Sequence, residues 1–497
     1  MPGPLVELRA RYVLPMDAPP IEGGCVAIQG ERFVSVAAKP ATANPIDLGD
    51  VAVLPGLVNT HTHLDLNDVP APLGRPGMRL VDWIGEVIRH RLATPSTARA
   101  VLDGLCESAR LGTTSLADIS QAIPPFNATI SDHIRKQGAT GILPVPSSGN
   151  LGATGVLPVP FGDPRTASVA STGETPVAPP TTPRVAPQVA QPVAPRVAPP
   201  VASSVTPEMP CVRLVSFLEL IAPTLERVEL QVERARSHIA AGREAASWLP
   251  GLSPHAPYSI QLDLLIQAVA LSAENHVPLA MHLAESPEEL ELVEHRCGPF
   301  RDFLERLGAW NSEAFPDGLT ILGYLQMLAG AHRALVIHGN YLSDEEMIFL
   351  ADRADRMAVV YCPRTHAFFD HDPYPLEKML AAGVVVALGT DSRASSPDLS
   401  LLAEMREAAR QHPSINPETI LRLGTLGGAT ALGMSHQQGT ITPGREADLA
   451  VVSLPDGGCR NAADLYHGLL ESNASVVATW LRGKPFQENS FSEKSNP

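Results

Sequence analysis

The sequence predicts an α/β protein, a (β/α)8 TIM-like barrel with a small β-sandwich domain built from both termini. Three observations predict it. Eight short apolar runs alternate with longer amphipathic, charged stretches through the middle of the chain, the pattern of βα units around a parallel sheet. Both ends instead alternate short apolar stretches with Gly and Pro, the pattern of a small sheet. Polar residues with chemical potential recur where apolar runs end, and a barrel of this kind opens its active site at the C-terminal ends of its strands.

Residues 1–52, with LVELRARYVL and CVAIQGERFVSVA, form the first part of the expected sandwich. Residues 53–437 form the barrel domain, with strands expected at Val51–His63, Thr113–Ile119, Val212–Leu220, Leu249–His255, Pro278–Leu283, Ala334–His338, Met357–Tyr361 and Val384–Asp391. LERVELQVERARSHIAAG and PEELELVEHRCG carry helical periodicity between them. Residues 138–210 break the pattern with TGILPVP, TGVLPVP and PRVAPQVAQPVAPRVAPPVA, and Phe161 is their one aromatic residue. Such a composition cannot bury a core and predicts a disordered, polyproline-like surface insertion without a catalytic role. A docking segment for a proline-reading partner is the alternative. Residues 438–487, with TITPG, ADLAVVSL and SVVATWLRGKPF, complete the sandwich, and 488–497 form a disordered tail.

The totals narrow the function. At 497 residues and 44% hydrophobic content the chain can bury a sizeable core. A formal net charge of -16 argues against a nucleic-acid surface, which needs clustered Lys and Arg. No run is apolar and long enough to cross a bilayer. The opening MPGPLVELRARYVLPM has no apolar h-region behind a basic start, so no signal peptide is expected. The six cysteines (Cys25, Cys106, Cys211, Cys297, Cys362 and Cys459) form no C-x-x-C pair, which suits a reducing compartment. A cytoplasmic enzyme for a small-molecule substrate is the expectation.

The chemistry begins with LPGLVNTHTHLD. His61 and His63 lie two apart at the end of a strand, so alternation points both imidazoles to one side, where they can share a metal. Alone, the pair is equally explained as core or surface histidines. PLAMHLAES adds His282 and Glu285, ALVIHGN adds His338, and VVVALGTDS adds Asp391. Any one could be bonded to nearby backbone; together, in this order, they point to a metal site. Neutral imidazoles with one carboxylate suit zinc or ferrous iron, and a catalytic site keeps a position open for water.

The set VNTHTH, HLAE, HG and GTDS resembles the amidohydrolase superfamily, in particular its chlorohydrolase and nucleoside/nucleobase deaminase (TRZ/ATZ-like) branch. SPHAPYS around His255 and the late GTITPGREADLAVV are similar to that branch as well. The resemblance covers nearly the whole chain outside the insertion. It implies His61, His63, His282 and Asp391 as metal ligands, Glu285 as general acid/base, His338 and Asp391 as orienting groups for the attacking water, and His255 as a substrate contact. Dinuclear members bridge their metals with a lysine on the fourth strand. SWLPGLSPHAPYS has none, nor has the third strand VRLVSFLEL, so one divalent metal per subunit is implied, Zn2+ before Fe2+. A metal lowers the pKa of its water from about 15.7 toward 7, which makes hydroxide available at neutral pH. By the same analogy the chain is expected to be a homo-oligomer, a dimer.

MRLVDWIGEVIRHRLAT bears on the substrate. Members acting on thioadenosine-type nucleosides carry a longer loop there, with a tryptophan and a later glutamate for the ribose hydroxyls. This chain has Trp83, but Leu92 stands at the glutamate position and Glu86 comes earlier. The spacing of Trp83, Ile84, Val87, Ile88 and Arg91 resembles aminodeoxyfutalosine deaminases of the alternative menaquinone pathway. Their substrate carries a benzoate arm, for which Arg91 and Arg364 are the candidate partners. In YCPRTHAFFDHD, Thr365 and His366 replace the branch's Ser-Asn pair, and His366 with His371 is weighed as a second metal pair against pocket-lining or surface histidines. The substrate-binding candidates are thus His255, Glu86, Trp83, Arg91 and Arg364. Deaminases of guanine, oxidised guanine or another adenine nucleoside, and s-triazine chlorohydrolases, are the rivals within the enzyme class. A metal-free scaffold is the rival outside it.

Overall fold

The computed structural model describes residues 3–94, 98–121, 212–245, 247–455, 459, 462–471 and 473–487. The insertion expected at 138–210 and the tail expected at 488–497 lie outside them.

Eight parallel strands pair in chain order: β1 Leu57–Thr62, β2 Thr113–Ser120, β3 Arg213–Leu220, β4 Trp248–Pro254, β5 Pro278–Leu283, β6 Arg333–His338, β7 Met357–Tyr361 and β8 Val386–Leu388. A parallel bridge between Thr62 and Asp391 joins the first strand to the segment after the last. The His61 carbonyl accepts the Thr390 and Asp391 N–H groups at 3.0 and 3.1 Å in that seam. The sheet is thereby closed into a barrel. Parallel strands covered on both faces read as near-continuous apolar runs. Alternate residues such as Ala117, Val215, Phe217, Ala280 and Leu335 fill the interior, while Leu218, Leu279, Met281 and Val336 face the surrounding helices.

The helices Val228–Glu244 and Pro287–His295 stand where the charged amphipathic stretches predict them. The second begins sharply: Ser286 accepts the Glu289 N–H at its N-terminus, and Pro287 occupies the first turn, where its missing N–H costs nothing.

The one strand expected over Val51–His63 is two. Val51–Pro55 pairs antiparallel with Leu449–Ser453 in a six-stranded sheet, and the barrel strand starts only after Gly56. A Cβ on Gly56 would stand 2.1 Å from the Thr114 hydroxyl, so no larger residue fits at this crossing. A four-stranded sheet contains Leu5–Arg9, Cys25–Gln29, Arg32–Ala37 and Ile46–Asp47. The two small sheets share a core of Leu8, Val26, Phe33, Val53, Leu449 and Trp480, so both chain ends build the sandwich. Among the described residues no helix is long and apolar enough to cross a membrane.

Candidate active site

His61 and His63 are buried at the end of β1. Neither ring nitrogen of His61 has a hydrogen-bond partner, nor has Nδ1 of His63. Buried polar atoms left this way cost about 1–3 kcal/mol each, which a cation bound between them would offset. Asp391 Oδ1 lies 3.4 Å from His61 Nε2 and 3.7 Å from His63 Nε2. His282, at the end of β5, turns Nδ1 to the His255 carbonyl at 3.0 Å. The geometry assigns the proton to Nδ1 and leaves Nε2 for the cluster, the tautomer that ligating histidines take. The His61 ring lies 5.0 Å from that of His63 and 4.9 Å from that of His282. Nitrogen and oxygen atoms of His61, His63 and Asp391 lie within 4.8 Å of one another, as do those of His61, His282 and His338. This donor set fits a divalent metal ion.

The strand ends are bent to make this convergence. Leu335 and Ile337 of β6 face the interior and Val336 the helices, so plain alternation would send His338 outward. Its φ of 69° turns the ring inward, 5.7 Å from His61. Tyr374 donates its hydroxyl to the His338 carbonyl at 2.9 Å and holds that turn. Ala284 (φ 53°) and Asp391 (φ 52°) share the left-handed conformation, unusual for residues with a Cβ and common where a site stores strain.

Electrostatics divide the cluster into roles. Burial, reinforced by neighbouring histidines, holds His63 and His282 well below the usual histidine range, so they are neutral donors. Burial acts on His338 in the same direction. Burial alone would raise the Asp391 carboxyl, but His61, His338 and His63 around it hold it below the usual range, and it stays ionised. Its Oδ2 accepts the Ser395 hydroxyl at 3.0 Å, and Ser395 meets Thr365 at 2.9 Å. Glu285 is pushed the other way. Burial, then Asp391 and Glu289, raise it well above the usual carboxyl range, and its Oε1 sits 3.3 Å from His338 Nε2. A carboxyl whose surroundings favour the proton, beside one whose surroundings favour the charge, is the arrangement an acid/base pair needs.

His255 adjoins the cluster, its ring 4.9 Å from His282, and burial, with Arg91 and His61, lowers it to about 3. Its Nδ1 meets the Ser259 hydroxyl at 2.7 Å and its Nε2 lies 3.6 Å from Glu219. Arg91 comes near but is ion-paired to Asp65 at 2.8 Å. Trp83 donates to the carbonyl of Ala394, on the loop that follows Asp391, at 3.2 Å, and meets Phe369, which follows β7, edge-on. Glu86 and Arg364 are ion-paired to other residues. Glu86 pairs with Arg89 on its own helix. Arg364 spends its guanidinium on Glu404 and Asp398, at 2.6 and 2.8 Å. His366 bonds the Asp372 carbonyl and His371 the Tyr341 hydroxyl, so the two rings turn to different partners. Glu219 and Asp118, to which the sequence motifs give no role, lie near the C-terminal ends of β3 and β2, buried close to Asp65; burial pushes Asp118 up to about 8.

Comparison with known proteins identifies the family and the fold. A model of the amidohydrolase family matches residues 52–485. The 5-methylthioadenosine/S-adenosylhomocysteine deaminase of Moorella thermoacetica is 25% identical over 469 residues, covering 89% of this chain and 84% of that protein. Among solved structures, a zinc-bound adenosine deaminase from Xanthomonas campestris superimposes with a TM-score of 0.65 at 21% identity, over 97% of this chain and 92% of that one. The Helicobacter pylori aminofutalosine deaminase in complex with methylthio-coformycin gives 0.69 at 20%, over 97% and 99%.

Proposed function

Because the chain belongs to the amidohydrolase family, as a hydrolase of carbon–nitrogen bonds in cyclic amidines, we propose that it removes the 6-amino group of an adenine nucleoside. Water replaces that group, leaving a 6-oxo purine and ammonia. The observation that carries this reading is the convergence of His61, His63, His282, His338 and Asp391 at one strand-end cluster, with Glu285 Oε1 3.3 Å from His338 Nε2 and its carboxyl pushed up by burial. His61, His63, His282 and Asp391 would hold the metal ion, and zinc fits their nitrogen and oxygen donors. When bound, it supplies Lewis-acid activation of water at neutral pH.

The chain's own groups account for the proton traffic. Glu285 donates its proton to a ring nitrogen of the substrate, which makes the amino-bearing carbon electrophilic. Asp391 Oδ1 takes the proton released by the attacking water. His338, beside Glu285, orients that water and meets the oxygen as it adds to the ring. Glu285, recharged by the water-derived proton that Asp391 gives up, protonates the departing amino group, and it regains the hydroxyl proton of the adduct as the 6-oxo group forms and ammonia leaves. His255, whose ring lies 4.9 Å from that of His282, and Trp83 would contact the nucleoside beyond its base.

For the substrate's arm, the spacing from Trp83 to Arg91 favours 6-amino-6-deoxyfutalosine, with Arg91 facing the benzoate. The Asp65–Arg91 pair favours a second reading, an uncharged arm such as that of methylthioadenosine, since Asp65 already neutralises the arginine. A panel of aminodeoxyfutalosine, methylthioadenosine, adenosine, 5′-deoxyadenosine, guanine and a chlorotriazine, scored for ammonia or chloride, separates these. Ammonia from at least one adenine nucleoside is expected, and release from guanine or the triazine alone would overturn the proposal.

A further inference from the structure

The turn that carries Glu285 is held at every backbone polar group. Glu289 receives two consecutive N–H groups on its two carboxylate oxygens, Ala284 on Oε1 and Glu285 on Oε2, both at 2.9 Å. The Ala284 carbonyl accepts the Tyr341 N–H at 3.1 Å. The Glu285 carbonyl accepts the Asn340 side-chain amide at 2.8 Å. Buried backbone groups need partners, but regular structure does not supply these; two side chains supply three of the four bonds. Ala284 has a φ of 53°, a conformation unfavourable for a residue with a Cβ, so these bonds hold a turn the backbone would not adopt unaided. Glu289 is fully buried and Asn340 is buried too.

We propose that Glu289 and Asn340 are positioning residues that fix the Glu285 side chain against His338 and the reacting atoms. This rests on the reading of Glu285 as the proton carrier. Only a carboxylate offers two acceptor oxygens to two neighbouring N–H groups. A Gln there sets an NH2 donor against one of them and releases that side of the turn, while its size is unchanged. Asn340 comes from the loop after β6, so the clamp also ties the Glu285 turn to the loop that follows His338. A small displacement of a proton carrier is expensive in rate, because a misplacement of about 1 Å costs on the order of 100-fold.

The test compares Glu289→Gln, Asn340→Leu and the double variant with the parent, as full chains, on the most active nucleoside of the panel. The expected result is a kcat roughly 10–100-fold lower in Glu289→Gln and about 10-fold lower in Asn340→Leu, by the same geometric argument. KM and bound metal should stay within about 2-fold, a split that simple loss of stability does not produce. The double variant should lose less than the product of the two, because both act on one turn. Unchanged kcat with a lowered melting temperature, or a KM effect alone, overturns the proposal. If Glu289→Gln does not fold, Asn340→Leu decides by the same criteria. Hydrogen exchange across residues 283–286 judges the clamp without any substrate. Faster exchange confined to those amides supports it and unchanged exchange overturns it, even where the panel shows the nucleoside reading to be wrong.

Discussion

Glu285 is a carboxyl whose surroundings favour its proton: burial, Asp391 and Glu289 all penalise the charge. Replacing it with Gln keeps shape and removes the transferable proton. Glu285→Gln should bind metal like the parent and lose turnover by about 10²–10⁴-fold, the usual contribution of a positioned acid/base; metal content and single-turnover ammonia release check both halves. Single residues of this kind are legible in the sequence because His61, His63, His282, Glu285 and Asp391 each interrupt or follow an apolar run. The direction of His338 is not, since it depends on a φ of 69° held by Tyr374. Nor are the partners of Arg91 and Arg364. Asp65, Asp398 and Glu404 lie 26 to 40 positions away, and only the folded loops bring them in. Glu219 and Asp118 carry the same strand-end signal as the cluster, but no motif sets them apart.

At the scale of elements, strands and helices follow their periodicity, and the exceptions have local causes. The apolar run from Val51 to Val58 has no polar break, and it divides between two sheets at Pro55–Gly56, where Gly56 packs closely against Thr114. Asp448 marks another junction. It lies just before the strand Leu449–Ser453 and accepts the Arg482 N–H at 2.7 Å, where the strand Val476–Leu481 ends. Burial raises its carboxyl from 3.8 to about 6. A carboxyl raised by folding contributes stability that is fully present below its unfolded pKa and is lost as pH rises through the folded one. Asp448→Asn keeps an acceptor for Arg482 and cannot ionise. Relative to the parent it should therefore gain stability between about pH 4 and 6, by roughly 1.4 kcal/mol per unit at most, and hold a constant difference above that. Chemical denaturation at pH 4, 5, 6 and 7 reads the effect, and a difference independent of pH would contradict it.

The whole molecule brings its two ends together. Val51–Pro55 lies against Leu449–Ser453, and the shared core of Val53, Leu449 and Trp480 joins residues far apart in the chain. The matching Gly- and Pro-punctuated ends make a joint domain legible, whereas the order of strands within each sheet depends on long-range pairing that no local pattern records. The barrel in turn brings the ends of β1, β5, β6 and β8 to one mouth, although the chain separates His61 from Asp391 by 330 positions. The central claim is that this mouth grips one divalent cation. Elemental analysis of the purified chain tests it most directly: one zinc or iron per chain is predicted, falling to a small fraction in His61→Ala and Asp391→Ala variants that remain folded. A parent chain without stoichiometric divalent metal, or variants that retain it fully, would contradict the account.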